Sequence, residues 1–124
     1  MAEIVARRKE ERERLIGVAR SYVEALAETI PVLAAAVVGS VARGDFNVWS
    51  DIDVVVVCDD LPERTPERMA VLVREHTEGV QPVGFTREEF RRAFRKRNPL
   101  ATSVTTEGVI LLGENFFRGV GADG

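Results

Sequence analysis

Asp51 and Asp53 stand two residues apart at the start of a run, Asp51–Cys58, that is dense in Val and Ile and reads as a β-strand. In a strand, residues i and i+2 share a face and lie about 6.5–7 Å apart at Cα, so both carboxylates can converge on one small volume. Two unpaired like charges there repel, and each resists ionising. A divalent cation removes the conflict, and hard oxygen ligands suit Mg²⁺. Such a pair can also hold two metal ions at the separation of about 3.5–4 Å used in in-line phosphoryl displacement.

Gly39 and Ser40 supply the second half of the chemistry. They follow an apolar run, Val32–Val38, at the point where a strand would give way to a turn. Gly39 lets the backbone come close to a ligand, the N–H groups after it open a helical turn, and the Ser40 hydroxyl adds a donor. Arg43 and Gly44 follow within one turn, with a positive charge and a second permissive backbone point. Gly-Ser alone is an ordinary turn, and Asp-x-Asp alone is an ordinary wet strand start. Ten residues separate Ser40 from Asp51, and Arg43, Gly44 and Ser50 fall inside that interval. A phosphate cradle and a metal-binding pair on adjacent strands describe a nucleoside triphosphate held with Mg²⁺.

The segment GSVARGDFNVWSDIDVVVV resembles the signature of the minimal nucleotidyltransferases of the DNA polymerase β superfamily: Gly-Ser, Arg-Gly, then Ser-Asp-x-Asp and an apolar strand. The likeness is tight over Ala36–Val57 and looser elsewhere. It implies a nucleotidyltransferase fold and transfer of a nucleotidyl group from a triphosphate, commonly ATP, to a hydroxyl. By this resemblance Gly39 and Ser40 hold the β/γ-phosphates, and Asp51 and Asp53 bind Mg²⁺. Minimal members are similar to half of a two-protein system, paired with a small helical protein. The likeness therefore implies a partner-protein hydroxyl as acceptor and an antitoxin role.

One position departs from the pattern. The family places a third carboxylate on the strand after the helix, where it completes the metal site and helps deprotonate the attacking hydroxyl. Here that strand is 79–85, and Gln81 occupies the place of the acid. Glu78 precedes the strand, and Glu88 and Glu89 lie beyond it. A glutamine offers a carbonyl oxygen to a metal but cannot take a proton. A positioned general base is worth roughly 10²–10⁴-fold, whereas positioning and charge stabilisation carry most of phosphoryl transfer. A slow enzyme and a catalytically impaired nucleotide- or partner-binding module are both compatible with Gln81.

The elements that must position these residues follow from periodicity and breakers. Apolar residues at helical spacing predict a long helix from Glu3 to about Glu28, closed by Pro31. Its charged first half, Arg7–Arg14, reads as a solvated helix end laced with i,i+4 pairs, with a partner-binding arm as the other reading. Strands are predicted over 32–38, 51–58, 79–85 and 109–112, and a helical turn and loop over 40–50. Helices are predicted from a Thr65 N-cap to about Thr77, after Thr86, and from Asn98-Pro99 to about Glu107. The fold class is α/β (α+β), a small mixed sheet flanked by helices behind a long N-terminal helix. The second and third strands, joined through a helix, suit parallel pairing, and shorter connections suit antiparallel pairing.

Other residues carry weaker signals. His76, the single histidine, reads as an exposed helix-end residue, and Cys58 as a small strand hydrophobe. Trp49, beside Ser50, reads as packing over the sheet edge, with base stacking as the alternative. Phe116-Phe117 either covers the core or marks a contact surface. The basic stretch Arg87–Arg97 reads as a solvated or acid-facing helix side, with Phe90 and Phe94 on its buried side.

Size and composition bound the whole. With 124 residues, 45% apolar and 30% charged, the chain fits one domain: an N-terminal helix over 1–30, a catalytic core over 32–112 and a C-terminal tail over 113–124. Seventeen basic against twenty acidic residues give a net charge of −3, which argues against nucleic acid as the acceptor. A single cysteine excludes an internal disulfide and a thiolate metal site. No apolar run approaches a membrane span, and charges at Glu3, Arg7 and Arg8 leave no signal peptide, so a cytoplasmic protein is expected. A homo-oligomer is compatible with all of this.

Overall fold

Val-rich β2 (Ile52–Val57) lies inside the sheet, flanked by β1 (Ala34–Val38) and β3 (Val80–Phe85). The strand order is β3-β2-β1-β4, with β4 (Val109–Leu112) at one edge. β1 is antiparallel to β2 and β4, whereas β2 and β3 are parallel. The parallel β2–β3 and antiparallel β1–β2 pairings are those that the connection lengths predict, whereas β1–β4 joins segments far apart in the chain, with no short connection to signal it. The chain is described by a computed structural model over residues 2–73 and 79–123.

Strand alternation sends side chains to two cores. Ala35, Val37, Ile52, Val54 and Val56 pack beneath α1 (Ala2–Ala27) and α3 (Thr65–Leu72), together with Ala19, Tyr22, Leu26 and Leu72. Ala34, Ala36, Val38, Val55 and Val57 face Phe90 of α4 (Arg87–Arg95), Ala101 and Val104 of α5 (Pro99–Thr106), and Phe117 and Val120 of α6 (Glu114–Asp123). The remaining element, α2 (Gly39–Arg43), is a single helical turn between β1 and the loop that leads into β2.

Local chemistry accounts for several boundaries. Thr86 caps α4 through a capping box with Glu89, and Asn98 caps α5 by accepting from the backbone N–H groups of Leu100 and Ala101. Two expectations are corrected. Thr65 is the first residue of α3 rather than its cap, which is Arg64. The helix also ends at Leu72 rather than near Thr77: Val73 is extended, and the Tyr22 hydroxyl donates to the Leu72 carbonyl at 2.6 Å. His76, Thr77 and Glu78 lie outside the described residues.

The expected C-terminal tail is largely α6, despite the poor helix formers Gly119 and Gly121. Burial overrides propensity there. Phe117 is fully enclosed, and its ring lies 5.4 Å from Phe90 and 5.5 Å from Phe116. The same aromatic cluster shows that Phe116-Phe117 covers the core.

Candidate active site

β1 ends at Val38, which pairs with Asp53 on β2. Immediately beyond, Gly39 takes φ +74°, a left-handed conformation that a side chain would strain. A Cβ there would also sit 2.5 Å from Asp53 Oδ2. The Gly39 backbone therefore passes directly over the Asp53 carboxylate, and glycine is the residue that allows it. Ser40 follows with its hydroxyl free of hydrogen bonds to any described residue, while its carbonyl accepts from the N–H groups of Gly44 and Asp45. Gly44, at φ +89°, closes α2 in a left-handed C-cap.

The two carboxylates interact as their spacing requires. Burial pushes the Asp53 carboxyl above its ordinary range, the charge of Asp51 adds to the shift, and Arg43 pulls the other way. Among the described residues neither Asp51 nor Asp53 is in a salt bridge. Asp51 is exposed and Asp53 half-buried, so both are open to a ligand.

Gln81 lies directly beside Asp53 in the parallel β2–β3 register and is exposed. Side chains in register on neighbouring strands share a face, so Gln81 occupies the third corner of the site without a charge. No group of three His, Cys, Asp or Glu side chains suited to a metal exists among the described residues. The donors these residues could offer a cation are two carboxylates and one amide. They fit a cation that takes its remaining oxygens from phosphates and water, as Mg²⁺ does in triphosphate sites.

Arg43 and Ser50 are tied into the surrounding scaffold. The Arg43 guanidinium donates to Asp45 at 3.1 Å and to Glu107, at the end of α5, at 3.2 Å. Ser50 closes the turn that begins at Asn47: its Oγ accepts from the Asn47 N–H and its own N–H donates to the Asn47 carbonyl, each at 3.0 Å. Trp49 is corrected from a packed to an open residue, being 88% exposed at the tip of that turn beside Val48. The turn's own hydrogen bonds hold the backbone, and among the described residues the indole is left open.

Sequence reasoning missed three residues around the site. Glu107 anchors Arg43 from the end of α5, a contact 64 residues apart in the chain that no local pattern signals. Arg8 and Arg12 reach from α1 to the carbonyls of 41–46, so the charged half of that helix is not simply solvated. A signal existed: Arg8 and Arg12 are one turn apart and in phase with Leu15, Ala19 and Tyr22, the stripe that enters the core.

Comparison with known proteins agrees with this geometry. Among the solved structures the chain resembles is a candidate nucleotidyltransferase from Sulfolobus solfataricus, with 25% identity and a TM-score of 0.59. The likeness covers 83% of this chain and 84% of that one. No curated protein matches the sequence. The nucleotidyltransferase domain family matches residues 19–106, from the middle of α1 to the end of α5, and includes Gly39, Asp51, Asp53 and Gln81. A glycine turn over a carboxylate pair, in this sheet and with this match, places the chain in the nucleotidyltransferase domain family.

Proposed function

We propose that this protein is a Mg²⁺-dependent nucleotidyltransferase that moves a nucleotidyl group, AMP from ATP, to a hydroxyl acceptor: the hydroxyl oxygen bonds to the α-phosphorus, the bond between the α- and β-phosphates breaks, and pyrophosphate leaves. The observation that carries the reading is the contact between the Gly39 backbone and Asp53, with both carboxylates free of salt bridges among the described residues. Gly39 and Ser40 receive the phosphates: the glycine permits close approach, and the Ser40 hydroxyl donates to a phosphate oxygen. Asp51 and Asp53 would hold Mg²⁺, which when bound would supply positive charge against the negative charge of the phosphoryl oxygens. Room for two ions exists only if the substrate supplies most of the ligands, because the chain itself brings two carboxylates.

Arg43, Gly44 and Ser50 complete the nucleotide site by fixing its walls. Arg43 braces the turn through Asp45 and Glu107 while lending positive charge to the site. Gln81 orients without accepting a proton, so the acceptor hydroxyl loses its proton to Asp53 or to water. By the resemblance to the minimal nucleotidyltransferases, the acceptor is a hydroxyl on a small helical partner protein, which gives the pair an antitoxin relationship.

Gln81 also supports a second reading, in which the fold binds nucleotide or partner without turnover. Incubation with labelled ATP, Mg²⁺ and the product of the adjacent reading frame separates the two. Transfer of label, absent in Asp51→Asn and Asp53→Asn variants, supports the enzyme. Nucleotide binding without transfer to the partner or to any small alcohol supports the module.

A further inference from the structure

Arg8 and Arg12 project from the N-terminal half of α1, ahead of the segment that the family match covers. Arg12 donates from Nε to the Val41 carbonyl at 3.1 Å and from a terminal nitrogen to the Ala42 carbonyl at 2.8 Å. Arg8 donates to the carbonyls of Gly44, at 3.2 Å, and Phe46, and its guanidinium lies 4.7 Å from the centre of the Phe46 ring. Four carbonyls in six residues are thus taken by two side chains from one helix face.

Two of those carbonyls, of Val41 and Ala42, lie in the last turn of α2, that of Gly44 belongs to its C-cap, and that of Phe46 lies in the loop beyond. A helix of five residues cannot satisfy its own C-terminal acceptors and is too short to hold its shape alone. Cations belong at that end, where the peptide dipoles point their negative poles. The start of α2 is anchored in the sheet at Gly39, against Asp53. Its far end and the loop toward Asp51 depend on the arginines, on Arg43 and on the buried Phe46.

We propose that Arg8 and Arg12 are positioning residues, a brace from outside the family's domain that holds residues 41–46 so that the Gly39–Ser40 turn and the carboxylates keep their triphosphate-binding arrangement. The proposal rests on the nucleotidyltransferase reading for its ligand, though not for its loop contacts. Arginine suits the task because its rigid planar fork presents donors to two carbonyls in a fixed geometry, whereas a lysine offers three rotating donors from a single nitrogen on a flexible stem. If the two residues only stabilised α1, their removal would lower the melting temperature and leave the site unchanged.

Trp49, the single tryptophan, is exposed three residues beyond Phe46 and reports on the loop directly. The test compares wild type with Arg8→Gln/Arg12→Gln, Arg8→Gln alone, Arg12→Lys, and the control Arg14→Gln, whose partner is Glu11 on the same helix. Circular dichroism establishes that each is folded. Trp49 anisotropy is read without ligand, and Mg²⁺–ATP affinity by titration. The expected result is a folded double variant with lower anisotropy and affinity weakened about tenfold or more, the scale of losses from outer-shell support. Arg12→Lys falls between it and wild type, and Arg14→Gln does not change. Arg8→Gln, at an exposed position, decides the matter if the double variant does not fold. Unchanged affinity in a folded variant overturns the proposal, with or without a change in anisotropy. Wild type that binds no Mg²⁺–ATP defeats the nucleotidyltransferase reading instead. Anisotropy then decides the brace alone, and an unchanged value overturns it.

Discussion

A methyl group on Gly39 would meet Asp53 Oδ2 at 2.5 Å, so these two residues, one opening α2 just past β1 and one on β2, are fitted to each other. The left-handed φ of +74° adds a second reason for glycine. Gly39→Ala should therefore cost about 1–2 kcal/mol from backbone strain alone, and should push the Asp53 carboxylate out of place. Urea denaturation measures the first effect and Mg²⁺–ATP titration the second. Wild-type affinity in the variant would mean that the close approach has no role in the site.

Asp53 is held at odds with the free protein's stability. Burial and the neighbouring Asp51 charge both disfavour its ionised form, so its carboxyl titrates above the usual range. A raised carboxyl pKa means that the folded state loses stability as pH rises through that value. Asp53→Asn should accordingly melt higher than wild type in metal-free buffer at neutral pH. Wild type should gain stability from Mg²⁺–ATP, about 2.7 kcal/mol at a hundredfold excess over Kd, and the variant should gain none. Calorimetric melts with and without the ligand check both signs together.

Gln81, in register with Asp53 across β2 and β3, is where a third acid would complete the site. Gln81→Glu should raise the rate of label transfer, by about 10²-fold if the added group serves as general base. It should also make the rate rise with pH through the new carboxyl's titration. The same change puts like charges side by side and should lower metal-free stability by less than about 1 kcal/mol. An unchanged rate would show that proton removal does not limit the reaction.

Arg68 ties α3 to the far end of the sheet. It donates to the carbonyls of Pro62 at 2.7 Å and Gly84 at 3.1 Å, and to Glu89 at 2.8 Å. Burial pushes the Glu89 carboxyl upward, but hydrogen bonds from Arg68 and from the Thr86 N–H outweigh it and hold it below 4.5. Asp59 is lowered in the same direction by the backbone N–H and side chain of Arg87. For both groups the stabilisation is complete above the unfolded values and is lost as pH falls through the lower folded ones. Arg68→Ala should cost about 1–3 kcal/mol at neutral pH, because it leaves enclosed carbonyls unpaired. It should also flatten the decline in urea midpoint below pH 4.5, measurable as a pH series on both proteins.

Where a residue's role depends on its chain neighbours, the sequence was legible. Val-rich runs bounded by Pro31, Gly39 and Gly79 became strands, and Thr86 and Asn98 became caps, because alternation and capping act within a few residues. That Asp51 and Asp53 share a face was legible from their spacing, since a strand places i and i+2 on one side regardless of what surrounds it. Contacts between distant segments were not legible. The phase of Arg8 and Arg12 with the core stripe turns them inward, but it does not name the carbonyls, 29 to 38 residues away, that need their donors. Nothing near Phe117 announces the Phe90 ring that turns a glycine-containing segment into a buried helix. Trp49, apolar by type, stands in the open, while α3 stops at Leu72, whose carbonyl accepts from the distant Tyr22 hydroxyl. Local geometry settled the elements and the spacing of the chemical groups. Packing settled which surfaces met, because burial and hydrogen-bond demand are properties of the assembled sheet and helices that no short stretch of chain contains.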